Sequence, residues 1–156
     1  MQFMQANLSR PSGQQLAAWR AFLTAHARVT ERLEHELAVE RNLPLAWYDV
    51  LVQLSEAPAR RLRMHDLARA VLLSRAGLTR LVDRMTTAGF VERTPCEEDR
   101  RGTYVAMTDE GRDALANAAP VHLRGIAEHF SGLLCETETA ALEGIMRRIV
   151  EALGGR

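Results

Sequence analysis

Two adjacent arginines, Arg100 and Arg101, stand in a polar turn between two short β-prone segments, 90–94 and 103–108. Both segments alternate apolar and polar residues, which predicts a two-stranded ribbon that carries the arginines at its tip. Arginine presents a permanent charge on a planar fork of donors, and this group suits phosphate oxygens and the narrow minor groove of DNA. We expect Asp99 to hold one guanidinium while the other enters the groove. The sequence leaves open which arginine does which.

A second set of candidate residues precedes the ribbon, on a segment that Ser74 caps and Ala88-Gly89 ends, as is typical of a helix. Arg75 is expected to contact guanine with two donors, and Thr79 to touch a base or a thymine methyl group. Ser74 or Arg80 would hold phosphate, although a plain cap and a solvated helix face are the alternatives. One turn further on, an arginine suits an ion pair as well as DNA. The candidate DNA-binding residues are Ser74, Arg75, Ala76, Thr79, Arg80, Arg84, Asp99, Arg100 and Arg101.

The charge distribution supports this assignment, although the formal net charge is zero. Residues 60–101 hold ten arginines and six acidic residues, whereas the rest of the chain holds ten arginines and fourteen acidic residues. Positive charge is therefore concentrated around the candidate site. Arg60, Arg61 and Arg63 begin this region, and they suit either flanking phosphates or a solvated loop.

The elements that would position these residues are mostly helices. Apolar residues at helical spacing predict a long amphipathic helix over 14–41, and Pro44 begins a second over 45–56. Two shorter helices follow at 64–71 and 74–87, joined by a tight turn. Two short helices followed by a hairpin is the order of a winged helix-turn-helix.

Beyond the ribbon, Thr108 caps a helix that is expected to continue through Leu133, and a last helix is predicted over 136–153. The predicted fold is therefore mainly α with a small β-hairpin wing, flanked by N- and C-terminal helices.

The first helix and the last two carry apolar stripes that have no sheet to cover them. A homodimer with interlocked terminal helices would bury the stripes and set two recognition helices about 10 bp apart. The predicted parts are an N-terminal arm and dimerisation helix (1–43), a winged helix-turn-helix domain (44–112) and C-terminal dimerisation helices (113–156). The expected interface residues are Leu16, Leu23, Ile126, Leu142, Ile145, Ile149 and Leu153.

Over nearly its whole length the chain resembles the MarR family of bacterial transcriptional regulators. The matching segments are 65–68, 74–85, 89–93, 99–101 and 105–112, and the most specific match is the Asp-Arg-Arg wing followed by Thr-x-x-Gly-Arg. The resemblance implies a triangular dimer, a palindromic operator and, usually, repression. It often implies a small phenolic or lipophilic effector, bound between the dimerisation helices and the reading domain.

An effector pocket and a sensory role for histidine are further expectations. The residues that could line such a pocket, each of which is equally an ordinary core residue, are Trp19, His26, Trp47, Tyr48, Met64 and Met107. His26, His122 and His129 lie on apolar stripes, where a histidine is either structural or sensory. No HxxxH pattern, CxxC pair or acidic cluster stands beside them, so neither a metal site nor a cofactor is predicted.

Other classes of protein have little support. Cys96 and Cys135 form no CxxC pair, and no membrane-length apolar run or N-terminal signal region is present, which predicts a cytoplasmic protein. A Gly-rich phosphate loop, a nucleophile motif and paired carboxylates are all missing, so no enzyme is predicted. A metal- or redox-responsive regulator of the same fold and a winged-helix module that binds protein rather than DNA stay open as alternatives.

Overall fold

In a computed structural model, the structure describes residues 10–71, 73–96 and 102–154. The first helix, α1 (Gly13–Arg41), begins at Ser12, whose hydroxyl accepts a hydrogen bond from the Gln15 N–H, and it ends at Asn42 in the left-handed conformation. Only Leu33 and Leu37, near its C-terminal end, are buried. The N-terminal half of α1 therefore lies outside the core of the single chain.

The next elements form the compact reading domain. They are α2 (Leu45–Glu56), β1 (Arg61–Arg63), α3 (Met64–Ala70), α4 (Arg75–Thr87), β2 (Val91–Pro95) and β3 (Thr103–Met107). The sheet is antiparallel in the order β1-β3-β2.

The expected two-stranded ribbon is thus wrong by one strand, because β1 adds to the free edge of β3 with Leu62 opposite Val105. A strand of three residues is too short to display an alternating pattern, so its presence depends on the partner strand rather than on its own sequence.

Two helices complete the chain, α5 (Asp109–His129) and α6 (Glu136–Ala152). The expectation that α5 continues through Leu133 is wrong, because residues 131–133 form a tight 3-10 turn instead. Phe130 leaves the helical conformation there, and the Ser131 hydroxyl donates to the Ile126 carbonyl at 3.4 Å. Serine competes in this way for backbone groups that would otherwise continue a helix.

Two apolar clusters hold these elements together. The larger cluster joins α2, α3, α4 and the sheet through residues such as Leu54, Leu67 and Met85. The smaller one packs Leu37 of α1 against Val121 of α5 beneath α2. The described part of α6 buries no residue in the single chain. Among the described residues, no helix is long and apolar enough to cross a membrane.

Candidate nucleic-acid interface

Helix α4 presents one face to the core and the opposite face to solvent. Ser74 caps it by accepting a hydrogen bond from the Gly77 N–H at 3.1 Å. The inward face consists of Leu78, Leu81, Val82 and Met85, all of them buried. Because the apolar face fixes the rotation of the helix, the six candidates at 74, 75, 76, 79, 80 and 84 are all exposed. The sequence-based placement of these residues on an outward face is therefore confirmed.

Thr79 has a more restricted role than its sequence position suggests. Its hydroxyl donates to the Arg75 carbonyl one turn back, at 2.9 Å. That bond leaves the hydroxyl oxygen as an acceptor and the methyl group available for contact. The methyl group suits a thymine methyl in the major groove.

An ion pair ties the wing to the recognition helix. Arg93 of β2 lies 2.7 Å from the Asp83 carboxylate, and a second nitrogen of its guanidinium donates to the Thr79 carbonyl at 3.5 Å. Asp83 is thus bonded to Arg93, rather than to Arg84 as one sequence-based alternative supposed. The contact holds β2 and α4 in a fixed relation, so that helix and wing present their cations together.

Strand β1 adds a feature that the sequence did not predict. Arg61 and Arg63 lie on the same side of the strand, and their guanidinium carbons stand 4.7 and 5.7 Å from the centre of the Tyr104 ring. Tyr104 is the β3 residue paired with Arg63. Stacking on an aromatic ring restricts an arginine while leaving its donors available at the edge. The two arginines therefore belong to an ordered surface rather than to a solvated loop.

A cavity of about 370 Å³ lies between the recognition helix and the wing. Arg63, His65 and Arg75 surround it with groups that are cationic or can become so, and Met64 adds an apolar side chain. Thr79, Gly102 and Thr103 complete its lining. A concave surface with this charge suits a phosphate or another small anion.

The tip of the wing, with Asp99, Arg100 and Arg101, lies outside the described residues. The strands on either side are paired up to Pro95 and Thr103. Beyond that pair, the Cys96 N–H donates to the Gly102 carbonyl at 3.0 Å. The predicted roles of the three tip residues stay predictions.

The Thr-x-x-Gly sequence after the wing has a structural explanation. The Thr108 hydroxyl donates to the Gly89 carbonyl at 2.7 Å and accepts from the Gly111 N–H at 3.0 Å. It caps α5 and at the same time fastens that helix to the end of α4, where Gly89 has a positive φ of 83°. This position of the cap relates α5 directly to the DNA-facing domain.

The six residues considered for an effector pocket occupy different places. Trp47 packs edge-on against Phe90, and Met107 is buried in the larger core cluster. Trp19 is exposed and, with Phe22, begins an aromatic row on α1 that includes His26. Tyr48 is buried in the smaller cluster and Met64 lines the cavity beneath α4. In the single chain these six side chains are not gathered around one pocket.

The residues expected at a dimer interface are mostly exposed. Leu23 and Ile149 are 46% exposed, and Leu153 is 82% exposed. Leu16 and Ile145 are also exposed, whereas Ile126 and Leu142 are partly buried. Further large apolar side chains without cover lie on the same helices, among them Phe22 and Val150.

His122 lies against Tyr48, with ring centres 4.3 Å apart, and its Nδ1 is buried without a hydrogen-bond partner among the described residues. Burial lowers the pKa of His122, and the nearby Asp49 partly offsets that effect. Burial in turn raises the pKa of Asp49, an effect that His122 partly offsets. Asp49 was absent from the sequence-based candidates, and its place beside a histidine 73 residues away depends entirely on the fold.

The two cysteines differ in environment. Cys96 is buried, and Cys135 is exposed at the start of α6. A hydrogen bond from the Thr137 side chain lowers the pKa of the Cys135 thiol. Burial of Cys96 agrees with the low expectation for redox sensing beside the wing.

Comparison with known proteins places these features in context. Residues 41–102 match a sequence model described as the MarR family. The crystal structure of Sco3205, a MarR family regulator from Streptomyces coelicolor in complex with DNA, is similar at 31% identity and a TM-score of 0.89 over 94% of this chain and 91% of that one. AbsC from the same organism is 33% identical with a TM-score of 0.87, over 95% and 99% of the two chains. The transcriptional repressor YetL of Bacillus subtilis is 32% identical over 95 residues, which are 61% of this chain and 56% of YetL.

Proposed function

The chain belongs to the MarR family of transcriptional regulators, and we propose that it is a homodimeric repressor that binds a pseudo-palindromic operator and is released by a small effector. The observation that carries the proposal is the outward face of α4. Arg75, Thr79 and Arg80 are exposed there, on a helix whose rotation is fixed by four buried residues. A helix held in this way can enter the major groove and read base edges.

Contacts to the DNA backbone would come from the surface around α4. The stacked arginines Arg61 and Arg63 and the pair Arg100 and Arg101 would bind phosphate and the minor groove on the two sides of the recognition helix. Their charge would make the affinity depend on salt. Which of Arg100 and Arg101 enters the groove is left to substitution.

The dimer is supported by the apolar side chains that the single chain leaves uncovered on α1 and α6. A contiguous apolar surface of this kind is unusual on a monomer and usually marks an interface. Pairing through a two-fold axis would bury it and relate two copies of α4. We retain the division into dimerisation helices and a reading domain, with the addition that α5 belongs to both, since it is capped against the reading domain and packs on α1.

Release by an effector would act through the spacing of the two recognition helices, because rigid DNA accepts only one separation of half-sites. The cavity of about 370 Å³ lies within the usual range of about 300–1,000 Å³ for small-ligand pockets. Its arginines suit the carboxylate or phenolate of a small aromatic ligand. An occupant there would also compete with DNA for Arg75. A regulator that acts in this way works in the cytoplasm, where the DNA is.

The direct test is selection of bound fragments from random double-stranded DNA, followed by gel shifts with the selected sequence. We expect a two-fold related motif, and Arg75→Ala should weaken its binding by about tenfold or more, the loss of one guanine contact of about 1–3 kcal/mol. Arg147→Ala is the matched control, because Arg147 is an exposed arginine of α6 that pairs with Glu143. Failure to enrich any sequence, or equal losses in the two variants, would contradict the proposal. A screen of phenolic ligands for release then tests the effector.

A further inference from the structure

A cluster of metal-binding side chains forms where α1 passes α5. Glu36 comes from α1, and Glu128 and His129 come from the last turn of α5. The His129 Nε2 lies 2.5 Å from the Glu36 Oε1, and one ligand atom of each residue lies within 4.8 Å of the other two. Glu36 and His129 are largely buried, with 21% and 27% of their side chains exposed, while Glu128 is exposed.

The Glu36 carboxylate has one oxygen that the ion pair with His129 leaves unexplained. Its Oε2 is buried and has no hydrogen-bond partner among the described residues. A buried carboxylate oxygen without a partner is costly, because it has given up its water. His129 supplies one donor to Oε1, so the demand for positive charge around this carboxylate exceeds what the histidine provides.

Gly125 allows the carboxylate to approach this closely. A Cβ at Gly125 would lie 2.6 Å from the Glu36 Oε2 and 2.6 Å from a Leu33 methyl carbon. The glycine lies one turn before His129, so the missing side chain is on the face of α5 that meets Glu36. The remaining cation nearby, Arg124, is engaged by Glu40 and lies 4.0 Å from Glu128.

We propose that Glu36, Glu128 and His129 bind a divalent transition-metal ion, for which Zn²⁺ is the best fit. One imidazole nitrogen and two carboxylate oxygens are ligand types that zinc accepts, whereas Mg²⁺ and Ca²⁺ are usually held by oxygen alone. The ion replaces the proton between His129 and Glu36. Around one Zn²⁺, ligand atoms at about 2.1 Å from the metal stand roughly 3.4 Å apart, so the Glu36 pair opens slightly and the exposed Glu128 moves inward. Water takes the fourth position.

This site departs from the expectation that the histidines have no acidic partners, because Glu36 precedes His129 by 93 residues in the sequence. It lies away from the exposed face of α4 and joins the two helices that carry the dimerisation surface. Metal binding there is therefore measurable without DNA.

The test is calorimetric titration of the purified, untagged full chain with Zn²⁺, alongside the variants Glu36→Gln, Glu128→Gln and His129→Gln. We expect one Zn²⁺ per chain, affinity at least tenfold lower in each variant, and little binding of Mg²⁺. The matched controls are Glu34→Gln and His35→Gln, exposed neighbours on α1 that should leave the affinity unchanged.

A second readout separates ligand loss from misfolding. Zn²⁺ should raise the melting temperature of the wild-type chain and of both controls, because it binds only the folded state, and should not raise that of His129→Gln. Circular dichroism then identifies a variant that has not folded. Absence of Zn²⁺ binding by the wild-type chain, equal binding of Mg²⁺, or Zn²⁺ binding that survives all three substitutions would overturn the proposal.

Discussion

Gly111, in the first turn of α5, lies so close to the backbone of Phe90 that a Cβ at this position would be 2.1 Å from the Phe90 carbonyl oxygen. The same oxygen accepts a hydrogen bond from the Thr108 N–H at 3.2 Å, and the Thr108 hydroxyl in turn receives the Gly111 N–H. The glycine of the Thr-x-x-Gly sequence is thus required by the close contact between a helix start and the entry to the wing.

Gly111→Ala should destabilise the protein by about 3 kcal/mol, because the atom in the way belongs to the backbone and overpacking against it is hard to relieve. Thermal unfolding at equal protein concentration measures the loss. The control is Gly13→Ala in the first turn of α1, where nothing lies within 4 Å of an added Cβ. Equal melting temperatures for the two variants would show that Phe90 can move aside.

Ile149→Asp should convert the dimer to a monomer. Ile149 belongs to the uncovered apolar surface of α6, and a carboxylate placed in an apolar interface must be desolvated without a partner. Light scattering should report a mass near 17.4 kDa for the variant and twice that value for the wild-type chain. Val39→Asp is the control, since Val39 is 70% exposed near the other end of α1 and should leave the dimer intact. A monomeric wild-type chain would remove the basis of the two-fold arrangement.

Tyr104→Leu should weaken DNA binding by about two- to fivefold, because the ring that restricts Arg61 and Arg63 is lost and an exposed cation–π contact contributes about 0.5–1 kcal/mol. Tyr104→Phe keeps the ring and should bind as the wild-type chain does. Fluorescence anisotropy with the selected DNA distinguishes the two variants. If leucine and phenylalanine behave alike, the stacked arginines do not contribute to binding.

His122 should make the fold less stable in mild acid. Its pKa is lowered in the folded chain, so as the pH falls through the ordinary value of 6.5 the unfolded chain takes up a proton first. The stabilisation is complete above pH 6.5 and is lost as the pH falls through the folded pKa. Asp49 has a raised pKa, and its contribution is lost in the opposite sense, as the pH rises from 3.8 through its own folded pKa.

The measurement is the fall in melting temperature between pH 7.5 and 5.5. His122→Asn should reduce that fall, whereas His35→Asn, a change at an exposed position on α1, should leave it as it is in the wild-type chain. A fall of the same size in His122→Asn would show that protonation of His122 costs the fold nothing.

Most of the helices could be predicted from the sequence because their ends carry local signals. Ser74 and Thr108 cap α4 and α5 as expected, and Pro44 precedes α2. The exposed face of α4 followed from the spacing of its apolar residues. These features depend on neighbours within one or two turns, which a sequence displays directly.

The remaining features depend on contacts between distant segments. Strand β1 exists because β3 offers it an edge, and the stacking of Arg61 on Tyr104 follows from that pairing. Glu36 and His129 meet only because α1 packs on α5. No local pattern marks such contacts, since each residue taken alone resembles an ordinary surface position.

The central claim is that the exposed face of α4 and the arginines around it bind DNA, and the salt dependence of affinity tests it most directly. Binding of the selected DNA should weaken steeply as salt rises, with a slope of log affinity against log salt of about −0.9 for each phosphate neutralised. Removal of a phosphate-binding arginine, as in Arg61→Ala, should make the slope shallower by about one. A flat dependence for the wild-type chain, or a slope that Arg61→Ala leaves unchanged, would contradict the account.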